Sequence, residues 1–198
     1  MLDERSDNRL ATDEELLAYV KKAGIQTILD IRIQEVKDNT FKFSLVPNRW
    51  DEYQNFLSIT EKDWDECKYF DETGKISEEV RNIPNDKGGI YLYIVKPPVP
   101  IKYMPMIMYV GRAHNNGKSQ NLRKRVSNYA REANDWYRGR KSVRFLFSKY
   151  AKYLHVMYIA LEKNADIDRL EKELITAIVP ACNKDLIQVS LKEGRAAF

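Results

Sequence analysis

The stretch that decides the fold is Gly89-Ile90-Tyr91-Leu92-Tyr93-Ile94-Val95. Its unbroken run of apolar and aromatic residues predicts a buried strand over residues 90–95. A second such run, residues 106–110, follows a proline-rich excursion and predicts a strand that pairs antiparallel with the first. Residues 154–161 predict a third strand. We therefore expect a small three-stranded antiparallel sheet in the second half of the chain.

Two helices are predicted to flank this sheet. The first covers residues 121–132, where Leu122, Val126 and Tyr129 fall on one face. The second covers residues 166–178 and ends before Pro180. This order of elements predicts an α/β (α+β) domain in residues 81–198, a three-stranded antiparallel sheet with packed helices.

Residues 1–80 predict a separate accessory region of α+β type. Thr12-Asp13-Glu14-Glu15 is a capping box that begins a helix, and Gly24 ends that helix. Residues 25–33 and 41–46 are rich in β-branched and aromatic residues and favour extended structure. The other elements expected in this region are short helices at 50–57 and 61–69, a turn at 71–75 and a helical turn at 77–79.

Charge is divided unequally between the two regions. Residues 1–80 hold 11 lysines and arginines against 19 aspartates and glutamates, whereas residues 81–198 hold 22 against 10. We interpret Asn85-Asp86-Lys87-Gly88 as the linker between them. A basic region is typical of a surface that faces a polyanion. The acidic region is not expected to be the main DNA-binding part, and we expect it to contact a protein partner, to contact a second copy of the chain, or to adjust specificity through a few side chains.

Composition excludes several classes of protein. The chain has only two cysteines, Cys67 and Cys182, so neither a disulfide framework nor a zinc cluster of cysteines is expected. No apolar run is long enough to cross a bilayer, and the charged N-terminus differs from a secretory signal. We therefore expect a cytoplasmic protein without a membrane partner.

Helical geometry singles out one glutamate and one arginine. Glu171 lies on the apolar stripe of its helix, whereas Glu173 is expected to face solvent. A carboxylate on an apolar face is costly unless it is paired with a Lys or Arg or bound to a cation. Arg125 lies near the apolar face of the earlier helix, whereas Arg123 and Lys124 are expected to point outward. Two inward charges of opposite sign indicate a site.

The tripeptides Gly89-Ile90-Tyr91 and Tyr109-Val110-Gly111, with a later helix that carries Glu171 before Pro180 and Asn183, together resemble the GIY-YIG nuclease family. The resemblance spans residues 87–185. It implies an endonuclease that hydrolyses DNA phosphodiester bonds with Mg²⁺ or Mn²⁺ as cofactor.

The resemblance also implies a set of residues that converge on the scissile phosphate. Glu171 would hold the metal ion, and Arg125 would bind phosphate. A tyrosine would act as the base toward the attacking water, provided that cationic neighbours such as Arg112 and Arg125 lower its pKa or that a relay is present. The implied catalytic set is Tyr91, Tyr109, Arg112, Arg125, Glu171 and Asn183. His114, in an insertion at residues 114–120 that departs from the family pattern, is expected to assist.

A basic stretch between residues 112 and 152 carries twelve lysines and arginines against two acidic residues. Taken alone, it predicts a solvated basic face with core aromatic residues interleaved. Beside a nuclease signature, it predicts contacts with DNA phosphates. The residues expected to bind DNA are Lys118, Arg123, Lys124, Arg131, Arg138, Arg140 and Lys141.

Other functions are compatible with parts of this pattern. A non-catalytic DNA-binding module would keep the basic surface but has no need of an inward glutamate. A repair or mobile-element nickase would use the same residues as the restriction or defence nuclease that we expect by analogy. A nucleotide hydrolase is suggested by Gly111 and Gly117-Lys118-Ser119. However, a P-loop requires four residues between its first glycine and Gly-Lys-Ser, and this chain has five between Gly111 and Gly117.

Overall fold

The computed structural model describes Trp50 and residues 59–98, 105–117, 119–134 and 146–183. The chain forms two compact units, Met1–Lys42 and Phe43–Phe198, and every described residue lies in the second. The helix and extended segments predicted between residues 12 and 46 lie outside the described residues, as does most of the helix predicted at 50–57. Within the described ranges, no helix is both long enough and apolar enough to span a bilayer.

The described residues contain four strands, β1 (Asp65–Lys68), β2 (Gly88–Val95), β3 (Met106–Ala113) and β4 (Leu154–Leu161). They form one antiparallel sheet in the order β1-β4-β2-β3. The prediction of three strands is corrected to four, because β1 pairs with β4. The three predicted strands are all present, and β4 has its predicted bounds.

The additional strand, β1, lies in a segment predicted to be helical. Of its four residues, Asp65-Glu66-Cys67-Lys68, only Cys67 is buried. A short 3-10 helix, Glu61–Asp63, precedes it and is capped by Thr60. The prediction of a helix over 61–69 is therefore wrong beyond this turn. The segment has no apolar alternation, and its pairing with β4 decides its conformation.

The boundary expected at residue 81 does not separate two packed units. Tyr69, directly after β1, is fully buried, and its hydroxyl donates to the carbonyl of Val126 at 2.8 Å. The predicted turn at 71–75 is present. The predicted helical turn is a 3-10 helix, Glu78–Asn82, which is capped by Ser77 and buries Val80. Residues 59–83 therefore share a core with β2, β3 and β4.

Within the described residues, the helices α1 (Leu122–Asn134) and α2 (Asn164–Ile178) pack on opposite faces of the sheet, and residues 146–149 are also helical. Asn121 begins α1, because its side-chain oxygen accepts from the backbone N–H of Lys124 at 2.9 Å. After α2, Val179 adopts a left-handed conformation with φ 49°. This conformation costs a β-branched residue conformational energy. It turns the chain away from the helix toward β3, where Cys182 donates its N–H to Met108 O.

The two faces of the sheet have different chemistry. The face toward α2 is aliphatic, and its buried residues are Ile90, Leu92, Ile94, Val110, Ile167, Leu170, Leu174, Ile175 and Val179. The face toward α1 is aromatic, with ring centroids of Tyr93 and Tyr129 at 5.1 Å and those of Tyr69 and Phe147 at 4.8 Å. Such edge-to-face pairs each add about 0.5–1.5 kcal/mol beyond their buried area. Of the site residues on these strands, Tyr91 and Tyr109 lie on the aromatic face, whereas Arg112 lies on the face toward α2.

Candidate active site

A cavity of ≈ 340 Å³ lies beside the end of β3, between α1 and α2. Its lining residues are Tyr91, Tyr109, Arg112, Ala113, His114, Gln120, Arg125 and Glu171. Six of the seven predicted site residues therefore line one cavity, although they come from β2, β3, the following loop and both helices. Asn183 is the exception.

The cavity joins the two faces of the sheet at the edge strand β3. Tyr91 pairs across the strands with Gly111, on the face toward α1. Ile90 pairs with Arg112, whose side chain lies on the opposite face. A Cβ atom on Gly111 would overlap the Tyr91 hydroxyl and would lie 2.7 Å from Cε1 of Tyr109. Glycine is therefore required here, because any side chain would displace one of the two tyrosine rings.

Three tyrosine hydroxyl groups form a hydrogen-bonded series, which we call the hydroxyl chain. The hydroxyl oxygens of Tyr91 and Tyr129 are 2.7 Å apart, and Tyr129 donates to Tyr109 at 3.1 Å. The sequence placed Tyr129 on the apolar face of its helix and gave it no chemical role. Its position four residues after Arg125 was the available signal, because residues at that spacing share a helix face.

Tyr91 is the buried end of the hydroxyl chain. It is fully buried, and burial raises its pKa well above the ordinary value. The neighbouring Tyr129 and Tyr109 add to this rise, whereas Arg125 opposes it. Tyr91 is therefore protonated at neutral pH and serves as a hydrogen-bond donor. Such a group is poorly suited to remove a proton from water, which is the role that the sequence resemblance implied.

Arg125 lies at the cavity on the first turns of α1. Its side chain is half-buried, and its guanidinium carbon is 5.3 Å from the ring centroid of Tyr129. A guanidinium group over an aromatic ring gains cation–π stabilisation and is restricted in orientation. Arg125 is thus a permanently charged donor group held against the hydroxyl chain.

Four charged or titratable residues on the other side of the cavity form what we call the ion-pair cluster. Nη1 of Arg112 lies 2.8 Å from Oε2 of Glu171 and 2.9 Å from Oδ1 of Asp168. Nε2 of His114 lies 2.6 Å from the same oxygen of Asp168. Asp168 was not predicted from the sequence. Its spacing of three residues before Glu171 was the only signal, since such residues are neighbours on a helix surface.

Glu171 has the electrostatic environment of a mostly buried carboxylate. Its side chain is 18% exposed and lies beside the apolar core residues of α2. Burial raises its pKa, nearby Asp168 raises it further, and Arg112 opposes both effects. Without a cation next to it, this carboxylate would be costly to keep ionised.

Asn183 fixes the backbone of β3. Its side-chain oxygen accepts from the N–H of Val110 at 2.9 Å, and its side-chain nitrogen donates to the carbonyl of Val110 at 2.9 Å. Val110 stands between Tyr109 and Gly111, so this pair of bonds holds the second tripeptide in place. Asn183 is buried and supports the site through the backbone of β3, without lining the cavity.

The residues expected to bind DNA have different surroundings. Lys124 and Arg131 are exposed. Arg123 is half-buried and its Nε donates to the carbonyl of Ile83 at 2.6 Å, so the prediction that it points outward is corrected. This contact ties α1 to the segment before β2. The remaining predicted residues, Lys118, Arg138, Arg140 and Lys141, lie outside the described residues.

The insertion that carries His114 is anchored at both sides. The backbone N–H of Asn115 donates to the side chain of Asn164 at 3.1 Å, and the side chain of Asn115 donates to the carbonyl of Asp86 at 2.7 Å. These bonds attach the loop to the first residue of α2 and to the segment before β2. They hold His114 next to Asp168.

Comparisons with known proteins provide no relative in which this geometry can be checked. No protein-family model, curated protein or solved structure matches the chain.

Proposed function

We propose that this protein is a divalent-metal-dependent endonuclease of the GIY-YIG type that hydrolyses DNA phosphodiester bonds. One observation carries the proposal: a single cavity brings together two tyrosines, two arginines and the mostly buried Glu171. Arginine guanidinium groups bind phosphate oxygens, and a carboxylate binds the cation that phosphoryl chemistry uses. The basic composition of residues 81–198 supports a polyanionic substrate.

The donor set of the cavity fits Mg²⁺ or Mn²⁺. Within the described residues, no group of three or more His, Cys, Asp and Glu side chains is arranged to enclose a metal. Mg²⁺ keeps several waters and needs one or two carboxylates together with substrate phosphate. Glu171 would be that carboxylate. When bound, such an ion would stabilise the charge that develops on the phosphate and on the leaving oxygen.

The remaining residues would position the phosphate and the attacking water. Arg125 would donate to a phosphate oxygen, with its direction set by the ring of Tyr129. Tyr91 would keep its proton and anchor the hydroxyl chain through its bond to Tyr129. Tyr109 accepts from Tyr129, so its own O–H would act as a donor at the cavity. The hydroxyl chain would thereby orient the reacting groups.

One observation favours a second candidate, a non-catalytic DNA-binding module. Arg112 already pairs with Glu171 at 2.8 Å. An inward glutamate can therefore be satisfied within the protein, which is the situation expected of a scaffold that binds DNA without cutting it. Binding and cleavage must be measured separately to distinguish the two candidates.

The test is a cleavage assay on supercoiled plasmid with Mg²⁺ or with EDTA, with sequencing of the ends. The variants are Glu171→Gln and the matched control Glu162→Gln, whose side chain is 73% exposed at the surface. We expect the wild type and the control to cut only with Mg²⁺. We expect Glu171→Gln to lose about 1,000-fold in rate, because a metal contributes several kcal/mol and each 1.36 kcal/mol is tenfold.

The products and the binding data separate the candidates. Plasmid binding by the wild type without any cleavage would support the binding module, and full activity of Glu171→Gln would refute the proposed metal site. Linear products would favour a restriction-type enzyme, whereas open circles would favour a nickase.

A further inference from the structure

One nitrogen atom of Arg112 serves two carboxylates. Its Nη1 lies 2.9 Å from Asp168 and 2.8 Å from Glu171, which are one turn apart on α2. The two carboxylates differ in exposure, because the side chain of Asp168 is 47% exposed and that of Glu171 is 18% exposed. Arg112 therefore has an alternative partner nearer to solvent.

This arrangement matters for cation binding at Glu171. A divalent cation on the Glu171 carboxylate would stand close to the Arg112 guanidinium, and two cations on one carboxylate repel each other. An arginine that had no other partner would have to remain on Glu171 or be left without a counter-ion. Asp168 removes this conflict, because it can hold Arg112 alone.

Asp168 is itself held in position. Nε2 of His114 contacts the same Oδ1 atom at 2.6 Å, and the loop that follows His114 is attached to α2 and to residue 86 through Asn115. The carboxylate of Asp168 is thus contacted from two sides, by His114 and by Arg112.

We propose that Asp168 is a positioning residue, which retains Arg112 so that the Glu171 carboxylate is available to a divalent cation. The proposal rests on the proposed function, since it takes Glu171 as the metal ligand. Groups that contact a metal-ligating side chain typically change metal affinity by about 10–100-fold when they are replaced, and Asp168 acts on Glu171 through such a group, Arg112.

The experiment measures Mn²⁺ binding to the full chain by the electron paramagnetic resonance signal of free Mn²⁺. Asp168→Asn keeps the size of the side chain and removes its charge, so Arg112 should remain on Glu171. We expect this variant to bind Mn²⁺ about 10-fold more weakly. The double variant Asp168→Asn/Arg112→Gln should recover affinity close to that of the wild type, because the competing guanidinium is gone.

Two further variants complete the set. His114→Ala should weaken Mn²⁺ binding less than Asp168→Asn does, because it removes one support of Asp168 but leaves the carboxylate that retains Arg112. Glu171→Gln should lose the site. Thermal unfolding of each variant confirms that it is folded, and the exposed position of Asp168 makes a large loss of stability unexpected.

The outcomes separate this inference from the proposed function. If Glu171→Gln binds Mn²⁺ as well as the wild type, the metal site is refuted and this inference with it. If Glu171→Gln loses binding but Asp168→Asn does not, this inference alone is overturned. If the double variant binds Mn²⁺ as weakly as Asp168→Asn, Asp168 is itself a ligand. If His114→Ala binds Mn²⁺ as weakly as Asp168→Asn, the effect passes through His114. Either result also overturns the inference.

Discussion

The hydroxyl chain and the ion-pair cluster lie on opposite sides of one cavity and differ in charge and in burial. The hydroxyl chain is uncharged and closely packed, and its end at Tyr91 is fully buried. The ion-pair cluster is charged, and the side chains of Arg112 and Asp168 are each more than two-fifths exposed. Buried hydrogen-bonded groups are costly to disrupt, whereas exposed ion pairs contribute little to stability.

Under the proposed function, this difference suits the two sides to different tasks. A rigid side fixes distances and directions, as a group that orients a reacting phosphate must. A side with exchangeable ion pairs can release one partner when a cation or a substrate phosphate arrives. Changes to the hydroxyl chain should therefore affect stability and rate together, and changes to the ion-pair cluster should affect ligand binding with little effect on stability.

The largest effect is expected when the support of the hydroxyl chain is removed. A fragment of residues 81–198 lacks β1 and also Tyr69, which packs against Tyr93 and donates to the carbonyl of Val126. Loss of this strand exposes one edge of β4 and part of the aromatic core. We expect the fragment to aggregate or to be degraded during expression. A fragment that is soluble and gives a cooperative unfolding transition would contradict this.

The next largest effect is expected at Arg125. Arg125→Ala should lower kcat/KM by about 10²–10³, the range for a lost donor to a developing negative charge. Lys124→Ala, at an exposed neighbouring position, should mainly weaken DNA binding and reduce its salt dependence. Plasmid cleavage rates and binding at several salt concentrations measure both. Equal losses for the two variants would show that Arg125 acts through general charge rather than through its place beside Tyr129.

A smaller effect is expected from Tyr129→Phe, which keeps the ring and removes the central hydroxyl of the chain. The buried Tyr91 hydroxyl then loses its hydrogen bond to Tyr129, at a cost of about 1–3 kcal/mol in the free energy of unfolding. Denaturant unfolding measures this cost. Tyr153→Phe, at a half-buried tyrosine outside the hydroxyl chain, is the control and should change stability by less than about 0.5 kcal/mol. If the two substitutions cost the same, the hydroxyl chain has no special structural role.

The smallest effect on stability is expected at the ion-pair cluster. Asp168→Asn removes the charge from an ion pair whose two side chains are 43% and 47% exposed, and such pairs are worth about 0–1 kcal/mol. The same unfolding measurement applies. A loss as large as that of Tyr129→Phe would remove the contrast between the two sides of the cavity.

The elements with long apolar patterns could be predicted from the sequence. The predicted bounds of β4 agree with the structure, and α2 ends at Ile178, as the position of Pro180 predicted. β1 could not be predicted, because a four-residue strand with one buried side chain has no pattern of its own. It exists because β4 offers an unpaired edge, which is a property of the tertiary structure.

Helical periodicity predicted which residues of α2 lie on its apolar stripe, but it did not predict the burial of residues on the other sides of the helix. Glu173 was expected to face solvent but is half-buried. One turn later, the carbonyl of Ala177 accepts from the indole N–H of Trp50 at 3.0 Å, so this side of α2 is covered as well. Helical phase relates a residue to the stripe of its own helix, but it does not reveal what packs on the other sides.

The contacts that site residues make with one another also could not be predicted from the sequence. The inward position of Glu171 followed from helical geometry, but Asp168 looked like one more polar residue on α2. Its role depends on how α2 lies against β3, since Arg112 must reach both carboxylates. The hydroxyl contact of Tyr129 with Tyr91 likewise depends on the approach of α1 to the sheet.

We expect the bonds that Cys182 and Asn183 make to β3 to limit self-association of the protein as well. An edge strand exposes backbone groups to which a strand from another molecule can add, and β3 carries the apolar run Met106-Ile107-Met108-Tyr109-Val110. Here the Met108 carbonyl and both backbone groups of Val110 are already hydrogen-bonded. A chain truncated before Cys182 would present this run as a template for strand addition. It should form β-rich aggregates even where the rest of the sheet survives.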